Sequence, residues 1–505
     1  MTKPDFPIPP EVALVTKGLE QAGFEAYLVG GCVRDLLLER APRDWDVTTN
    51  ADPEAIQRIF PHTFYENSYG TVGVVNDAIS REIAIGSVSY ETLHVVEVTP
   101  YRLESSYSDY RRPDEVKFGQ NLEDDLKRRD FTCNAIAYSI SRGTLVDPFG
   151  GAIDAHKRLI KAVGVPEDRF REDALRMLRG VRLATELSFS IDSDTEAAIA
   201  RNAELLKHIS AERIRDELIK IVQSEEPMRG LVVAQKLGLN KYLLPELEEG
   251  IGCEQMATHA YDVWEHNLRS LEHAARKGWE LNIRLAALLH DVGKPKTRRM
   301  GEKKWTFYGH DVVGGRMTQK ILERLKFDKK IIDIVTKLVR YHLFFSDTDT
   351  ITLSAVRRMV ANVGEELIWD LMKLRVCDRI GTGRPKEQPF RLRKYQAMIE
   401  EVMRNPISPK LLKINGEGIM SVTREKPSRR IGWILHALLE EALEDPTKNT
   451  KEYLEKRALE LTNLEGSELE RLGEAGKEKK AEVEEQEIAE INKKYHVGYR
   501  RQSSG

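Results

Sequence analysis

Two aspartates, Asp44 and Asp46, stand two positions apart and follow a Gly-Gly pair at 30–31. On a strand, this spacing places both carboxylates on one face and Trp45 on the other. Glycines let backbone amides approach a phosphate closely, and a helix N-terminus behind them adds favourable potential. Two carboxylates beside such a cradle can hold divalent cations for an in-line displacement at phosphorus. An Asp-x-Asp pair alone is more often a solvated loop, so the order of the whole segment carries the prediction.

An acidic and a basic side chain are paired further along, in the stretch 169–184, which we predict to be one helix. Asp173 and Arg176 are three positions apart and are therefore neighbours on a helix face. Such a pair presents a hydrogen-bond acceptor beside a donor, a pattern that complements cytosine and adenine but not guanine or uracil. Arg179 and Arg182 continue the row and would hold triphosphate. A solvated basic helix face is the alternative.

Other side chains between these pairs also suit a nucleotide. Arg129 suits phosphate, and Asp130 with Asn134 could hydrogen-bond ribose hydroxyls, although a double arginine is usually surface charge. Glu97, on a predicted strand, is either a third active-site carboxylate or an exposed residue. The segment Tyr101–Pro113 mixes tyrosine, arginine, serine and aspartate, which suits a mobile loop touching nucleotide or RNA, or else an ordinary solvated connection.

A set of histidines and aspartates in the second half indicates different chemistry. His290 and Asp291 end an apolar helical run, His266 lies upstream, and His310, His342 and Asp378 lie downstream. This ordered set resembles the HD superfamily of metal-dependent phosphohydrolases. By that resemblance the metal ligands would be His266, His290, Asp291 and Asp378. Imidazole with carboxylate suits Mn, Ni, Fe or Zn better than Mg alone, and water bound there could attack a phosphoester.

The elements that must position these residues begin as a mixture of helices and short strands. We predict helices over Glu11–Ala22 and Asp52–Phe60, and strands over Thr71–Val75, Glu82–Ile85 and Leu93–Val98. This arrangement predicts an α+β head with a small mixed sheet. From about residue 154 the sequence becomes helical, and the charge-rich end is typical of an exposed helix or a partly disordered tail.

Length, cysteines and charge limit the class of protein. A chain of 505 residues is too long for one core and predicts roughly three or four domains. Four scattered cysteines without CxxC spacing indicate reduced thiols, not a zinc site or a disulfide frame. No apolar run approaches the roughly 20 residues of a membrane span, and the N-terminus lacks a secretory signal pattern, so we expect a cytoplasmic protein. The formal net charge of −3 requires any nucleic-acid surface to be local.

The motifs of the head resemble one known family. In chain order they are LVGGCVRD, DWD, GTVGVV, YRLESSYSDYRRP, RRDFTCNAIA, DPFGG, REDALRMLRGVRLA and SAERIRDEL. The first two resemble the signature of polymerase-β-type nucleotidyltransferases. Over residues 20–225 the whole order resembles the class II tRNA CCA-adding nucleotidyltransferases, with bacterial poly(A) polymerases as close relatives.

The resemblance implies a reaction and a role for each candidate residue. The tRNA 3′-hydroxyl would attack the α-phosphate of CTP or ATP, adding CCA without a nucleic-acid template. The implied roles are Mg²⁺ binding by Asp44 and Asp46; nucleotide contact by Gly31 and Arg34; triphosphate and ribose binding by Arg129, Asp130 and Asn134; base templating by Asp173 and Arg176; and phosphate binding by Arg179 and Arg182. Relatives that add only CC lack the Tyr101–Pro113 loop, which favours the full reaction.

The resemblance also divides the chain. We expect a nucleotidyltransferase head over 1–150, a helical neck over 151–225, an HD-type helical domain over 226–400 and a helical tail over 401–505. Some relatives carry an HD domain with phosphohydrolase activity on RNA ends, whereas others use such a domain only to bind RNA. A poly(A) polymerase or A-adding enzyme is the first alternative function, and an RNA phosphohydrolase whose head only binds RNA is the second.

Overall fold

The computed structural model describes most of the chain. The described residues are 6–65, 70–75, 95–103, 117–119, 121–255, 260–302, 305–343, 351, 353–404 and 412–478. The predicted strand Glu82–Ile85 and most of the Tyr101–Pro113 segment therefore lie outside the described residues. In the described part, no helix is long and apolar enough to cross a membrane.

The head is built on a mixed sheet, as the sequence predicts. Its strands are Ala26–Val29 (β1), Asp46–Thr49 (β2), Thr63–Tyr65 (β3), Val72–Val75 (β4), Val95–Pro100 (β5), Ala137–Ser139 (β8) and Thr144–Val146 (β9). Within the described residues, these seven strands run in the order β3-β4-β5-β2-β1-β8-β9. Strand β2 pairs antiparallel with β1 and parallel with β5, so the glycine and aspartate segments lie side by side.

Short helices frame the sheet. They are Pro10–Gln21 (α1), Gly31–Leu37 (α2), Pro53–Ile59 (α3), Leu122–Lys127 (α4) and Gly151–His156 (α5). Helix α2 starts directly after Gly30, whose φ of 82° is a backbone conformation that favours glycine. Helix α3 starts at Pro53, and the side chain of Asp52 caps it by accepting a hydrogen bond from the Ala55 amide.

The core of the head lies on one side of the sheet. Val47, Val96 and Val98 are fully buried there, and Trp45 is 7% exposed. Because side chains alternate along a strand, the residues between these valines face the opposite side. That opposite side carries Asp46 and Thr48 of β2 and Glu97 and Thr99 of β5.

Helices dominate the rest of the chain. They are Pro166–Glu172 (α6), Leu175–Glu186 (α7), Ser193–Asn202 (α8), Ala211–Gln223 (α9), Pro227–Lys236 (α10), Asn240–Leu243 (α11), Pro245–Glu248 (α12), Val263–Arg276 (α13), Leu281–Leu289 (α14), Lys294–Thr297 (α15), His310–Arg324 (α16), Lys329–Tyr341 (α17), Leu353–Val363 (α18), Ile368–Gly381 (α19), Phe390–Arg404 (α20), Gly416–Thr423 (α21), Arg429–Glu444 (α22) and Lys451–Thr462 (α23). Short strand pairs complete the described part: Arg102–Leu103 (β6) with Lys117–Phe118 (β7), Leu159–Ile160 (β10) with Ser190–Ile191 (β11), and Arg299–Met300 (β12) with Trp305–Thr306 (β13).

The chain forms two compact units. The first comprises Met1–Gln255, Asp262–Leu288 and Met317–Ile332, and the second comprises Met256–Tyr261, Leu289–Arg316 and Asp333–Gly505. In the second unit, α21, α22 and α23 pack around a separate apolar core that includes Ile419, Ile434 and Leu454. The division into four domains that we draw from the sequence stays a prediction.

Candidate functional site

The predicted carboxylates lie at the start of strand β2. Asp46 is its first residue, and Asp44 precedes the strand and is exposed. Glu97 on β5 is the register partner of Asp46, which puts their backbones about 4.8 Å apart and their side chains on one face. Glu97 is partly exposed, and its role as a third active-site carboxylate stays a prediction. Carboxylate oxygens are the ligands that Mg²⁺ prefers, so this donor set fits that ion.

The glycine pair keeps space open beside these carboxylates. A Cβ atom on Gly30 would lie 3.3 Å from Oδ2 of Asp46 and 3.2 Å from Nη1 of Arg129. A Cβ atom on Gly31 would lie 3.6 Å from Nη2 of Arg34. The missing side chains therefore let one aspartate and two arginines approach the same turn, where backbone amides can face a phosphate.

A hydrogen-bonded chain joins four of the predicted nucleotide-binding residues. Arg34 Nη1 donates to Asn134 Oδ1 at 2.7 Å, and Asn134 Nδ2 donates to Asp130 Oδ1 at 3.3 Å. The other oxygen of Asp130 lies 2.7 Å from Arg179 Nη2. Burial would raise the pKa of the Asp130 carboxyl, but the guanidinium groups of Arg179 and Arg176 outweigh burial and lower it. Asp130 is therefore a buried carboxylate held charged by arginines.

A second carboxylate, Asp125, organises the double arginine. Its Oδ2 lies 3.2 Å from Arg129 Nη2, and its Oδ1 accepts from Arg128 Nε at 2.9 Å. Burial opposes ionisation of Asp125, but both arginines lower its pKa. We did not single out Asp125 from the sequence. Its spacing of three and four residues before the arginines, which makes them neighbours on a helix, was the signal that could have identified it.

The predicted helix over 169–184 is interrupted, which corrects the expected Asp173–Arg176 pair. Asp173 has extended backbone angles, φ −143° and ψ 104°, between α6 and α7. Its side chain accepts from the amide of Leu175, the first residue of the helix that follows, at 3.1 Å. Both of its oxygens are also engaged by Arg213 of α9, at 3.2 and 2.6 Å. Sequence analysis used Arg213 only to place a helix and missed this contact.

Arg176 has other partners in this state. Its Nη1 lies 2.5 Å from Glu172 Oε2, and its Nη2 donates to the Arg128 carbonyl at 2.9 Å. That carbonyl belongs to the double-arginine turn beside Asp125, so the start of α7 is hydrogen-bonded to the turn that also carries Arg129. The structure brings these elements together without joining Asp173 to Arg176 through their side chains.

Arg182 lies at the far end of the arginine row. Its Nε is 2.7 Å from Glu217 Oε2 of α9, and its Nη1 is 2.8 Å from Glu186 Oε2. Two carboxylates thus neutralise this guanidinium and tie α7 to α9. Its phosphate-binding role stays a prediction, as do the roles of the other residues in the row.

In the second unit, Asp291, His310 and His342 converge. Their ligand atoms lie within 4.8 Å of one another and all three residues are buried. Asp291 Oδ1 is 3.4 Å from His310 Nε2 and 3.5 Å from His342 Nε2. We noted both histidines in the ordered set but did not assign them as ligands. Their side chains complete a group that could hold a metal ion.

Backbone contacts orient the two histidines of this cluster. Nδ1 of His310 and Nδ1 of His342 each lie 2.7 Å from a backbone carbonyl, of Phe307 and Val339 respectively. A carbonyl only accepts, so each Nδ1 carries a proton and the Nε2 atoms face Asp291. Burial lowers the pKa of His342, which favours its neutral form and leaves its Nε2 lone pair available to a metal ion.

The other predicted ligands differ in their surroundings. His290 Nε2 is 3.4 Å from Asp291 Oδ2 and 3.8 Å from Asp378 Oδ1. Burial acts to lower the pKa of His290, but these carboxylates raise it to about 9. A metal cation would supply the positive charge that this proton brings. His266 is fully buried in α13, which belongs to the first unit, and its ligand role stays a prediction.

Three family models match consecutive parts of the chain. The poly A polymerase head domain matches residues 26–161. The probable RNA and SrmB-binding site of polymerase A matches residues 188–251, and the HD domain matches residues 263–382. The head match contains both aspartates, and the HD match contains Asp291, His310, His342 and Asp378.

Similar proteins carry one name. The chain is 49% identical over 212 residues to the CCA-adding enzyme of Lactobacillus delbrueckii subsp. bulgaricus, covering 42% of this chain and 50% of that protein. It is 46% identical over 242 residues to that of Geobacillus stearothermophilus, covering 48% of this chain and 55% of that protein. The chain thus spans about half the length of the curated relatives it matches.

A solved structure extends the likeness along the chain. The crystal structure of the Bacillus stearothermophilus CCA-adding enzyme in complex with CTP is 30% identical, with a TM-score of 0.61. The match covers 90% of this chain and 98% of that one. Because the likeness runs through nearly the whole of that enzyme, the chain belongs to the family of the CCA-adding enzymes.

Proposed function

We propose that this chain adds CCA to the 3′ end of tRNA, using CTP and ATP and no nucleic-acid template. The observation that supports the proposal most is the register pair of Asp46 and Glu97 beside the Gly-Gly turn. The 30% identity to the Bacillus enzyme crystallised with CTP, over 98% of its length, supports the substrate class.

In the proposed reaction, the residues of the head orient two oxygens around one phosphorus atom. Asp44 and Asp46 would hold Mg²⁺, which when bound neutralises charge on the triphosphate and polarises the attacking hydroxyl. The tRNA 3′-oxygen forms a bond to the α-phosphorus as its proton leaves, and the bond from that phosphorus to the oxygen bridging to the β-phosphate breaks. Pyrophosphate departs with that oxygen.

The surrounding residues would bind the nucleotide. We assign the Gly31 turn and the guanidinium groups of Arg34 and Arg129 to the triphosphate, because they meet beside Asp46. We assign Asn134 to the ribose, where an amide can both donate and accept. Asp130 would position Arg179 and Asn134, since its carboxylate forms an ion pair with Arg179 and accepts a hydrogen bond from Asn134.

We assign base selection to Asp173 and Arg176. Arg182, at the end of the arginine row, is assigned to phosphate binding. Asp173 is held by Arg213 in this structure, and Arg176 is held by Glu172. A base recognised by both side chains would have to present a donor to Asp173 and an acceptor to Arg176. Cytosine and adenine present this pattern, whereas guanine and uracil do not.

One assay tests this function against its alternative. The purified chain is incubated with a tRNA that ends before CCA, together with CTP and ATP, and the products are sequenced. We expect two cytidines and then one adenosine. Addition of adenosine alone, or of an adenosine tract, would exclude the proposal and favour a poly(A) polymerase or A-adding enzyme, the alternative that the poly A polymerase head match keeps open.

We further propose that the HD part is a metal-dependent phosphohydrolase acting on RNA ends. The specific support is the acceptor-rich group of Asp291, His310 and His342, with His290 and Asp378 beside it. Its imidazoles suit a transition ion such as Mn, Ni, Fe or Zn. The chain with added Mn²⁺ or Ni²⁺ should release phosphate from, or open, a 2′,3′-cyclic phosphate at an RNA end. If no metal and no hydrolysis are found, the domain is an RNA-binding body.

The remaining expectations are part of the same proposal. We propose a cytoplasmic protein, because four cysteines are all free and buried as thiols. We also propose the division into a head, a neck, an HD domain and a tail that the sequence predicts, with the neck supplying Asp173 and Arg213.

A further inference from the structure

We infer that the β12–β13 hairpin is a binding element for the terminal nucleotide of RNA, placed to deliver its phosphate to the HD cluster. The inference rests on the proposed phosphohydrolase function, which it deepens by assigning residues that recognise the base. Chemistry at a phosphate needs only the cluster, whereas recognition of RNA needs a surface for the base and the neighbouring phosphates.

The hairpin is anchored in the cluster at both ends. On the entering side, Lys294 Nζ lies 2.5 Å from Asp291 Oδ2. On the leaving side, the Phe307 carbonyl accepts the hydrogen bond from His310 Nδ1 at 2.7 Å. The two sides also meet, because Lys294 Nζ lies 5.8 Å from the centre of the Phe307 ring. A ligand bound along the hairpin base would therefore lie next to the cluster.

An aromatic ring that follows the second strand of the hairpin projects into solvent. Tyr308 is 87% exposed, the highest exposure among the large apolar side chains of the described residues. It stands two positions before His310, and two residues of chain span at most about 7 Å. That distance is about the separation between a base and its own phosphate across one ribose. Tyr308 is thus placed to stack a base whose phosphate lies at His310.

The hairpin face carries a second stacking surface. The Arg298 guanidinium lies 3.9 Å from the centre of the Trp305 ring. Met300, the register partner of Trp305, is 65% exposed. Single exposed apolar side chains are common, but a stacked Arg–Trp pair with exposed Met and Tyr in one short hairpin is the composition of a platform for unpaired bases.

Charge points to the same ligand. Among the described residues 294–302, four are lysine or arginine and one, Glu302, is acidic, in a chain whose formal net charge is −3. Arg299 is exposed on the first strand of the hairpin. Local positive charge beside stacking side chains suits the phosphates of single-stranded RNA better than it suits an apolar or cationic partner.

The test compares two small substrates for the whole chain loaded with Mn²⁺. One is a nucleoside 2′,3′-cyclic phosphate, and the other is the matching 1-O-methylribose 2′,3′-cyclic phosphate, which lacks the base. We expect Tyr308→Ala to raise KM for the nucleoside about tenfold and to leave the abasic substrate unchanged. Tyr308→Phe should retain the wild-type values, since it keeps the ring. Leu459→Ala, which truncates an exposed side chain on α23, is the matched control.

A second readout needs no hydrolysis. A short RNA with 4-thiouridine at its 3′ end is irradiated with the metal-free chain, and crosslinked tryptic peptides are identified by mass spectrometry. We expect the peptide Trp305–Arg316 among them, and we expect Tyr308→Ala to remove it. If neither substrate is hydrolysed but this crosslink forms, the phosphohydrolase function fails and the binding element stands. Equal effects of Tyr308→Ala on both substrates, or no crosslink in this peptide, would overturn the inference.

Discussion

The head site and the HD cluster handle buried charge in opposite ways. Three of the predicted nucleotide-binding arginines already meet an oxygen: Arg34 meets Asn134, Arg179 meets Asp130, and Arg182 meets two glutamates. In the HD cluster, the Nε2 atoms of His310 and His342 converge on the Asp291 carboxylate, which Lys294 also contacts. The first region pairs its charges among its own residues, whereas the second groups ligand atoms that could hold a metal ion.

Because of this difference, the head uses separate residues for positioning and for chemistry, whereas the HD cluster would use the same residues for both. Paired arginines in the head cost little to bury, because each guanidinium keeps a charge-assisted hydrogen bond. These paired arginines can keep the predicted nucleotide-binding residues in position. Asp44 and Asp46, at the start of β2, would bind the metal ions. In the HD cluster, the same side chains both shape the site and would bind the metal, so metal loss should be felt in stability as well as in activity.

The largest expected effect is at the predicted Mg²⁺ ligands, Asp44 and Asp46. Asp46→Asn removes a charge that would bind Mg²⁺, and we expect nucleotide incorporation to fall roughly a thousandfold. The measurement is single-turnover incorporation of CMP into tRNA that lacks CCA. Glu123→Gln, an equivalent change at an exposed carboxylate of the same head, should stay near wild type. Retained incorporation in Asp46→Asn would mean that the head does not catalyse the reaction.

The next effect tests whether the HD cluster calls for a cation. Asp291→Asn should remove bound Mn²⁺ measured by elemental analysis and lower hydrolysis of cyclic phosphate at least about a hundredfold. In wild type, Mn²⁺ at a hundred times its Kd should stabilise the folded state by about 2.7 kcal/mol, and in the variant it should not. Asp333→Asn, an exposed carboxylate in the same unit, is the control. Equal stabilisation of both chains by Mn²⁺ would contradict a metal site at Asp291.

The comparison also shows which features sequence alone can predict. Strand β5 and the Gly-Gly turn follow from local patterns, because alternating apolar residues and glycine specify burial and backbone directly. The interruption between α6 and α7 does not follow, since Asp173 leaves the helical conformation while its carboxylate is held by Arg213, which is 40 positions away. Likewise, the sequence places His310 and His342 in the ordered set of histidines and aspartates, but their convergence on Asp291 depends on tertiary packing.

A smaller effect concerns the stability of the head. Asp130→Asn leaves the Arg179 guanidinium with a neutral partner in a buried site, and we expect it to destabilise the chain by about 3 kcal/mol at pH 7. The arginines lower the folded-state pKa of Asp130 below 3.8, so its stabilising contribution is complete above that pH and is lost as pH falls through the folded-state value. Denaturant titrations of both chains should therefore converge only in strong acid. An equal difference at every pH would assign the effect to packing, and Asp168→Asn, at an exposed position on α6, is the control.

The smallest effect addresses how the head reads a base. Arg213→Ala removes the guanidinium contact from both oxygens of Asp173, so we expect discrimination for CTP over UTP to fall about tenfold while single-turnover incorporation of CTP changes less. Arg213→Lys should be intermediate, because an ammonium cannot make the bidentate contact. Arg215→Ala, whose guanidinium instead meets Asp216, is the neighbouring control. Unchanged discrimination with weaker binding of all nucleotides would mean that Arg213 stabilises the neck but does not orient Asp173. The head and the HD cluster would then differ only in how their charged side chains are paired.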